Sequence, residues 1–370
     1  FGRLLQHLAF FERVETTEGS RVDFDDWRIH NVEALVVGRV SQRDADSYTI
    51  RFQLFDVVRG RQLLGWTMSS PATKAGMRGA AHRVADMVYE KLTGIKGVFS
   101  TKVAYVTTDE RSDGRWYSLW VADQDNENAF RVMESRDPIM SPAWSPDSRQ
   151  LAYVSFENNR SSIVVQNLRT GNRRVVANEP GINGAPSFSP DGRKLVITLG
   201  GAEGNLDIYT LDLRNRMKWR LTNHRAIDTE GSWSPDGQHI YFTSDRSGGP
   251  QVYRIDAEGG TPERVTFEGS YNARPRLSPD GKKLAVLHND RGNFRIAVMD
   301  LETQGLLILS RGSQDESPSF APNSDTLIYA TRIRGDGVLE TVSADGLVRQ
   351  KLESRQGDIR EPVWSPFPRF

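Results

Sequence analysis

Four aspartates recur along the chain at a nearly constant spacing, and they are the first residues that could do chemistry. Asp147, Asp191, Asp236 and Asp280 are separated by 44, 45 and 44 residues. Carboxylates repeated in this way could act as general acids and bases. Each aspartate, however, follows a Ser-Pro pair, in which Pro presets φ for a tight turn and Asp bonds back to the backbone. We therefore interpret the four aspartates as turn formers.

A second group of charged residues precedes the turns by a few positions. Its members are Glu230, Arg274, Asp315, Glu316, Asp358, Arg360 and Glu361. Loops that gather carboxylates beside arginines favour a polar platform for a protein partner. Two alternatives stay open, which are ordinary solvated loop charge and a Ca²⁺ site, because Ca²⁺ prefers carboxylate oxygens as ligands.

Motifs of the common enzyme classes are missing from the sequence. It contains no Gly-x-Ser-x-Gly segment, no His-Glu-x-x-His segment and no Gly-rich phosphate loop after a strand. The absence of cysteine excludes disulfides, zinc–thiolate sites and thiol catalysis, and the six histidines are scattered. The sequence therefore favours a protein that is not an enzyme.

The composition excludes further classes of protein. The chain has 48 basic and 48 acidic residues in 370, which excludes a strongly basic nucleic-acid-binding protein. No stretch of about 18 apolar residues occurs, so we predict a protein that does not span a membrane. The chain begins at Phe1 without an initiating Met, and from this we expect a longer precursor.

The charged loops must be positioned by a repeat that covers most of the chain. Six segments share an apolar residue, then Ser or Ala, then Pro, and four of them continue with Asp. The prolines are separated by 44, 45, 44, 43 and 44 residues, and they are Pro146, Pro190, Pro235, Pro279, Pro322 and Pro366. A period this regular is typical of repeat folds. We assign the tryptophans that open three of the segments to packing between repeats.

Each repeat has room for four short strands, which is typical of a β-propeller blade. An alternating apolar strand follows each turn, as in Leu151–Val154 and Ile240–Thr243. The sixth turn lies at the C-terminus, so the last blade must take its innermost strand from there and its other three strands from residues 102–135. We predict an all-β six-bladed β-propeller over residues 98–370, closed by the C-terminal strand.

Residues 1–97 lack the repeat, and we predict that they form a small, N-terminally truncated α/β domain. Strands are predicted at residues 33–40, 48–55 and 61–68. Apolar residues at helical spacing predict a helix over Lys74–Leu92, ended by Gly94, and another over Leu4–Phe11.

The junction Tyr89-Glu-Lys-Leu-Thr-Gly-Ile-Lys-Gly97, followed by six blades with Trp-Ser-Pro-Asp-Gly-type turns, resembles the TolB family of Gram-negative bacteria. The resemblance covers essentially the whole chain. It implies a periplasmic component of the Tol-Pal envelope system that supports outer-membrane integrity and cell division. The implied partners are the lipoprotein Pal at one mouth of the ring, TolA through an N-terminal extension absent from this sequence, and colicins in some species.

In the TolB family the Pal-facing rim lies at the starts of the innermost strands. The matching positions in the second and third blades are Ile182, Asn183, Ala185, Thr229 and Glu230. Equivalence between repeats adds Ser141, Asn272, Ala273, Arg274, Glu316 and Glu361. The resemblance therefore implies that these eleven residues contact Pal.

The function that this reasoning predicts is a non-enzymatic periplasmic scaffold that binds Pal and needs no cofactor. The alternative is a metal-dependent propeller hydrolase of the lactonase type. The rim carboxylates are compatible with one cofactor, a Ca²⁺ ion bound in the central channel, and this alternative stays open. An enzyme of that type should concentrate His, Asp and Asn around a metal inside the channel.

Overall fold

The computed structural model describes residues 22–201, 204–352 and 357–368. The chain divides into two compact units, residues 1–100 and 101–370. The sequence places the same division after residue 97. The helix predicted at Leu4–Phe11 lies outside the described residues.

The first unit contains a three-stranded antiparallel sheet in the order β1-β2-β3. Its elements are α1 (Phe24–Ile29), β1 (Ala34–Gln42), β2 (Ser47–Asp56), β3 (Arg61–Pro71) and α2 (Lys74–Thr93). Helix α2 begins where the Thr73 side chain accepts a hydrogen bond from the Gly76 amide, and it ends at Gly94, which has a φ of 76°. Phe52, Leu54 and Val88 form the core between sheet and helix.

The second unit contains six four-stranded antiparallel sheets within the described residues. Sheet 1 is β7 (Ile139–Trp144), β8 (Gln150–Ser155), β9 (Ser162–Asn167) and β10 (Arg173–Ala177), with a 3₁₀ turn at Glu157–Asn159. Sheet 2 is β11 (Asn183–Phe188), β12 (Lys194–Gly200), β13 (Leu206–Asp212) and β14 (Lys218–Arg220). Sheet 3 is β15 (Asp228–Trp233), β16 (His239–Ser244), β17 (Gln251–Asp256) and β18 (Glu263–Arg264).

The other three sheets follow the same order of strands. Sheet 4 is β19 (Asn272–Leu277), β20 (Lys283–Asp290), β21 (Asn293–Asp300) and β22 (Leu306–Ile308). Sheet 5 is β23 (Glu316–Phe320), β24 (Thr326–Ile333), β25 (Asp336–Ser343) and β26 (Arg349–Leu352). Sheet 6 is β27 (Asp358–Trp364), β4 (Lys102–Arg111), β5 (Gly114–Asp123) and β6 (Phe130–Ser135).

The first strand of each sheet contacts the first strand of the next, so the six sheets form a closed ring. Strands β7, β11, β15, β19, β23 and β27 are therefore the innermost strands, and β27 contacts β7 to complete the circle. In sheet 6 the C-terminal strand β27 pairs antiparallel with β4, which places strands from both ends of this unit in one sheet. Without β27, strand β4 would be the unpaired edge of a three-stranded sheet.

The aspartates of the repeated turns accept hydrogen bonds from the serine of the same turn. Ser189 Oγ donates to Asp191 at 2.6 Å, and Ser234 Oγ donates to Asp236 at 2.5 Å. These hydrogen bonds lower the pKa of both carboxyl groups. The interpretation of these aspartates as turn formers is confirmed.

The six sheets differ in how far their second and third strands extend. In sheets 4, 5 and 6 these strands have eight to ten residues and are joined by two residues, as at Arg291–Gly292 and Arg334–Gly335. In sheets 1, 2 and 3 they have six or seven residues and are joined by five or six. The ring is therefore asymmetric at one end. No helix in the described part of the chain combines the length and apolar character needed to cross a membrane.

Candidate functional site

The candidate site is the end of the ring at which the six innermost strands begin, called the rim from here on. Because neighbouring strands are antiparallel, the connections between second and third strands lie at this end as well. The repeated Ser-Pro turns lie at the opposite end, called the turn end.

Each innermost strand has one non-glycine residue with a positive φ, and these six residues form the bulge ring. The φ values are 51° at Ser141, 46° at Ala185, 59° at Glu230, 54° at Arg274, 54° at Ser317 and 50° at Glu361. At every one of these positions the pairing with the second strand shifts register. A left-handed backbone is unfavourable for residues with a Cβ, and such residues concentrate at functional sites.

The bulge ring brings five of the eleven predicted site residues together. All six of its side chains line one cavity of about 50 Å³, together with Arg276. The sequence places these residues about 44 positions apart, and the closed ring makes them neighbours in the channel. Ser317 is the member that the sequence-based assignment missed, although it follows the same spacing from the turn prolines.

Arg274 is the centre of a polar network that crosses the channel. Its Nε donates to Glu230 Oε1 at 3.0 Å, and its terminal nitrogens lie 3.8 Å from Glu361 and 4.0 Å from Glu316. The guanidinium also donates to the Ser317 hydroxyl. The network links sheets 3, 4, 5 and 6 through one side chain.

The network reaches sheet 1 through Glu361, which accepts a hydrogen bond from the backbone amide of Ser141. Glu230 is held on its other side by Thr243, whose hydroxyl donates at 2.9 Å. Five of the six sheets are therefore joined by polar contacts inside the channel.

Burial and charge act against each other on these groups. Burial lowers the pKa of Arg274, but Glu230, Glu361 and Glu316 together raise it above its ordinary value. Burial raises the pKa of Glu361, and the opposing effects of Arg274 and the Ser141 amide do not cancel that rise. Burial also lowers the pKa of Arg276 beside them. Three carboxylates thus hold Arg274 as a cation, whereas Glu361 is only partly compensated by it.

The raised pKa of Glu361 predicts a pH dependence of stability. Because the folded protein holds this proton more tightly than the unfolded chain, the contribution is fully present below the ordinary pKa of 4.5 and is lost as the pH rises through the raised value. Glu361→Gln removes the titrating group and keeps an acceptor for Ser141. We therefore compare the free energies of unfolding of this variant and the wild type in urea titrations. The difference, variant minus wild type, should increase from about pH 4 to about pH 7, because only the wild type loses stability through this group. A relative stability that stays flat or decreases would contradict the raised pKa.

Three of the predicted contact residues, Asn183, Asn272 and Ala273, have buried side chains, contrary to the exposed positions expected of contact residues. Asn183 exchanges hydrogen bonds of 2.8 Å with the backbone of Glu179. The Asn272 side chain donates to Gln251 at 3.0 Å and lies 2.9 Å from His288 Nδ1. Ala273 is buried as well. The two asparagine side chains fasten the loops that lead into the innermost strands.

The exposed part of the rim is more apolar than the sequence suggested. Ile182 is 52% exposed, as expected of a contact residue, and Thr229 and Glu316 are partly exposed. Met140, Ile227 and Phe267 are also exposed, by 40%, 49% and 64%, and were not predicted. Ile227 could have been found, because it precedes Glu230 by three residues, as Ile182 precedes Ala185. These four large apolar side chains are called the apolar arc below.

Two family models match this chain. The model described as the TolB beta propeller domain matches residues 89–368, and the model described as the TolB amino-terminal domain matches residues 3–63. The chain belongs to the TolB family. The predicted family resemblance is confirmed, and the ring of sheets is the propeller of that family.

Relatives in the TolB family are similar over most of their length. The Tol-Pal system proteins TolB of Xanthomonas oryzae pv. oryzae (strain PXO99A) and Xanthomonas campestris pv. campestris (strain B100) are each 48% identical over 353 residues, which is 95% of this chain and 80% of the relative. The crystal structure of TolB from Acinetobacter baumannii is similar with a TM-score of 0.89 and 43% identity, covering 96% of this chain and 89% of that one. A putative TolB from Agrobacterium tumefaciens, 19% identical with a TM-score of 0.56, shares the fold.

Proposed function

We propose that this TolB-family chain is a non-enzymatic periplasmic scaffold of the Tol-Pal envelope machinery, and that it binds the lipoprotein Pal through its rim. In this proposal the six sheets are the six blades of a propeller preceded by a small α/β domain. Its role is to support outer-membrane integrity and cell division. The names of the Xanthomonas relatives, which are Tol-Pal system proteins, support the assignment to this system.

The observation that carries the proposal is the apolar arc. Large apolar side chains that cluster at one surface mark sites of protein association, whereas single ones are common. Here Met140, Ile182, Ile227 and Phe267 stand on the same end of the ring, in or just before successive innermost strands. A folded domain seated on this end could bury a standard interface of roughly 1,600 Å² in total.

The small size of the channel cavity supports a binding role over catalysis. The cavity at its centre is about 50 Å³, and the side chains around it are engaged with one another through Arg274. Small-molecule sites typically measure about 300–1,000 Å³. A hydrolase of the lactonase type needs metal ligands that are open to a substrate in the channel, and Glu230 and Glu361 are instead committed to Arg274 and to backbone or hydroxyl donors. We therefore propose no cofactor, including Ca²⁺.

We include two further partners in the proposal because the resemblance to the TolB family implies them. TolA binding is assigned to an N-terminal extension, and recognition by colicins is assigned to the rim.

Binding of soluble Pal to the full chain tests the proposal. Ile182→Asp and Ile227→Asp place a charge in the apolar arc, and we expect each to weaken binding by about tenfold or more in calorimetric titration, because buried apolar contacts are replaced by a desolvated carboxylate. Leu347→Asp is the matched control, since Leu347 is an exposed apolar residue on a connection at the turn end. It should change the dissociation constant by less than about twofold.

Two results would count against the proposal. A wild-type chain that does not bind Pal would remove the assigned partner. Equal weakening by Leu347→Asp and by the two rim variants would show that the rim is not the contact surface.

A further inference from the structure

A second cavity opens at the rim and is called the rim cleft. Its volume is about 290 Å³, and residues of sheets 4, 5 and 6 line it. It lies where these sheets carry the long second and third strands. The volume is at the lower limit of small-molecule sites, which suits one or two side chains of a protein partner.

One wall of the rim cleft is apolar and aromatic. The rings of Tyr271 and Phe294 meet edge to face with centroids 5.2 Å apart, and Leu287 lies beside them. The wall is held in place because the Phe294 amide donates to Ser313 and its carbonyl accepts from the Asp315 amide, both at 3.0 Å. An apolar side chain could pack on this wall without rearranging it.

The carboxylates on the sheet 5 side of the cleft are already engaged. Asp315 is buried and accepts hydrogen bonds from the hydroxyls of Thr331 and Ser310 and from the Gly312 amide. Glu316 lies 4.0 Å from Arg274, which belongs to the channel network. The oxygens of Asp315 are therefore occupied, and Glu316, whose side chain is 35% exposed, shares the Arg274 guanidinium with Glu230 and Glu361.

The opposite wall carries an excess of positive charge. Arg360 donates to Asp358 at 2.6 Å, and Arg332 donates to the same oxygen at 3.3 Å. Asp358 also accepts from the Gly337 amide at 2.7 Å. Two guanidinium groups thus share one carboxylate. Their side chains remain 36% exposed at Arg332 and 46% exposed at Arg360. Arg332 also donates to the Gly335 carbonyl at 2.7 Å, so these contacts use two of the five N–H donors of each guanidinium.

We propose that the rim cleft binds a carboxylate-bearing segment of the protein partner, with the carboxylate on Arg332 and Arg360 and a neighbouring apolar side chain on the Tyr271–Phe294 wall. The inference rests on the proposed function and names the chemistry of one contact within it. Arginine forks match carboxylate geometry with two parallel hydrogen bonds, so the pair confers specificity for an anion.

The first test is charge removal in the full chain, titrated with soluble Pal. Arg360→Gln and Arg332→Gln should each weaken binding by about tenfold, because each removes charge-assisted hydrogen bonds. Arg334→Gln is the matched control, since Arg334 is exposed at the tip of the same hairpin and does not line the cleft. It should stay within about twofold of the wild type.

The second test is a substitution that should tighten binding of Pal, whereas the arginine substitutions should weaken it. Asp358→Asn removes the carboxylate that the two arginines share and keeps the shape of the side chain. Binding of a carboxylate should then become tighter by several-fold, and its salt dependence should increase. Thermal unfolding of all variants shows whether they are folded.

The outcomes separate this inference from the proposed function. If the wild type binds Pal and the arginine variants match Arg334→Gln, the rim cleft is not the contact and the rim assignment stands. If the arginine variants bind more tightly and Asp358→Asn more weakly, the occupant is cationic and the inference is overturned. If the wild type does not bind Pal, the proposed function fails, and the inference fails with it.

Discussion

Replacing Trp364 with alanine is expected to lower the free energy of unfolding of the propeller by about 4 kcal/mol. Trp364 is 5% exposed and ends the innermost strand of sheet 6. Its indole Nε1 donates to Thr101 Oγ1 at 2.7 Å, and its amide donates to Ser319 Oγ at 2.9 Å. Alanine would leave a cavity at the position where the ring closes and would leave the buried Thr101 hydroxyl without this donor.

The matched control for Trp364 is Trp219. It lies on the outermost strand of sheet 2 with 42% exposure and packs under the Lys194 ammonium at 5.7 Å. Trp219→Ala should therefore cost less than about 1 kcal/mol. Urea unfolding followed by far-ultraviolet circular dichroism measures both variants. Similar losses for the two tryptophans would show that closure of the ring does not depend on Trp364.

Replacing Arg274 with methionine is expected to lower the free energy of unfolding by about 2–3 kcal/mol, because Glu230, Glu316 and Glu361 lose the cation that they share. The expected loss is smaller than that for breaking a fully buried ion pair because the Arg274 side chain retains 27% exposure. Arg225→Met, at an exposed position of the rim, should stay within about 0.5 kcal/mol of the wild type.

A double-mutant cycle shows whether the loss comes from uncompensated charge. Adding Glu230→Gln to Arg274→Met removes one of the three carboxylates, so the second substitution should recover about 1 kcal/mol. In the wild type the same Glu230→Gln substitution should destabilise the protein. Additive losses would show that Arg274 contributes by packing alone.

The order of the strands could be predicted from the sequence because it depends on short-range patterns of residues. Pro and Asp at constant spacing define the turns, and alternating apolar residues define the strands on either side. The pairing of residues 102–111 with the C-terminal strand could be predicted as well. The last repeated turn, at Pro366, is preceded by one strand that has no repeat after it, so its partners must come from residues before the first repeat.

The environment of each rim residue could not be predicted in the same way. Asn183 and Ile182 are adjacent in sequence, yet one side chain is buried in hydrogen bonds and the other is exposed. Arg274 meets Glu230 and Glu361 because the bulges turn all three inward, and those bulges depend on pairing between strands. The shared use of Asp358 by Arg332 and Arg360 depends in the same way on how sheets 5 and 6 meet.

Closure by the C-terminal strand also sets the order of events during biosynthesis. Thr101 and Trp364 touch across 263 residues of chain. Strand β4 therefore emerges from the ribosome long before its inner partner β27 has been made. During that interval its edge is open to the wrong strand, and a contact this distant in sequence forms slowly. We expect the nascent ring to need protection until β27 has left the ribosome, so that a truncation before β27 would be far more damaging than most substitutions within the blades.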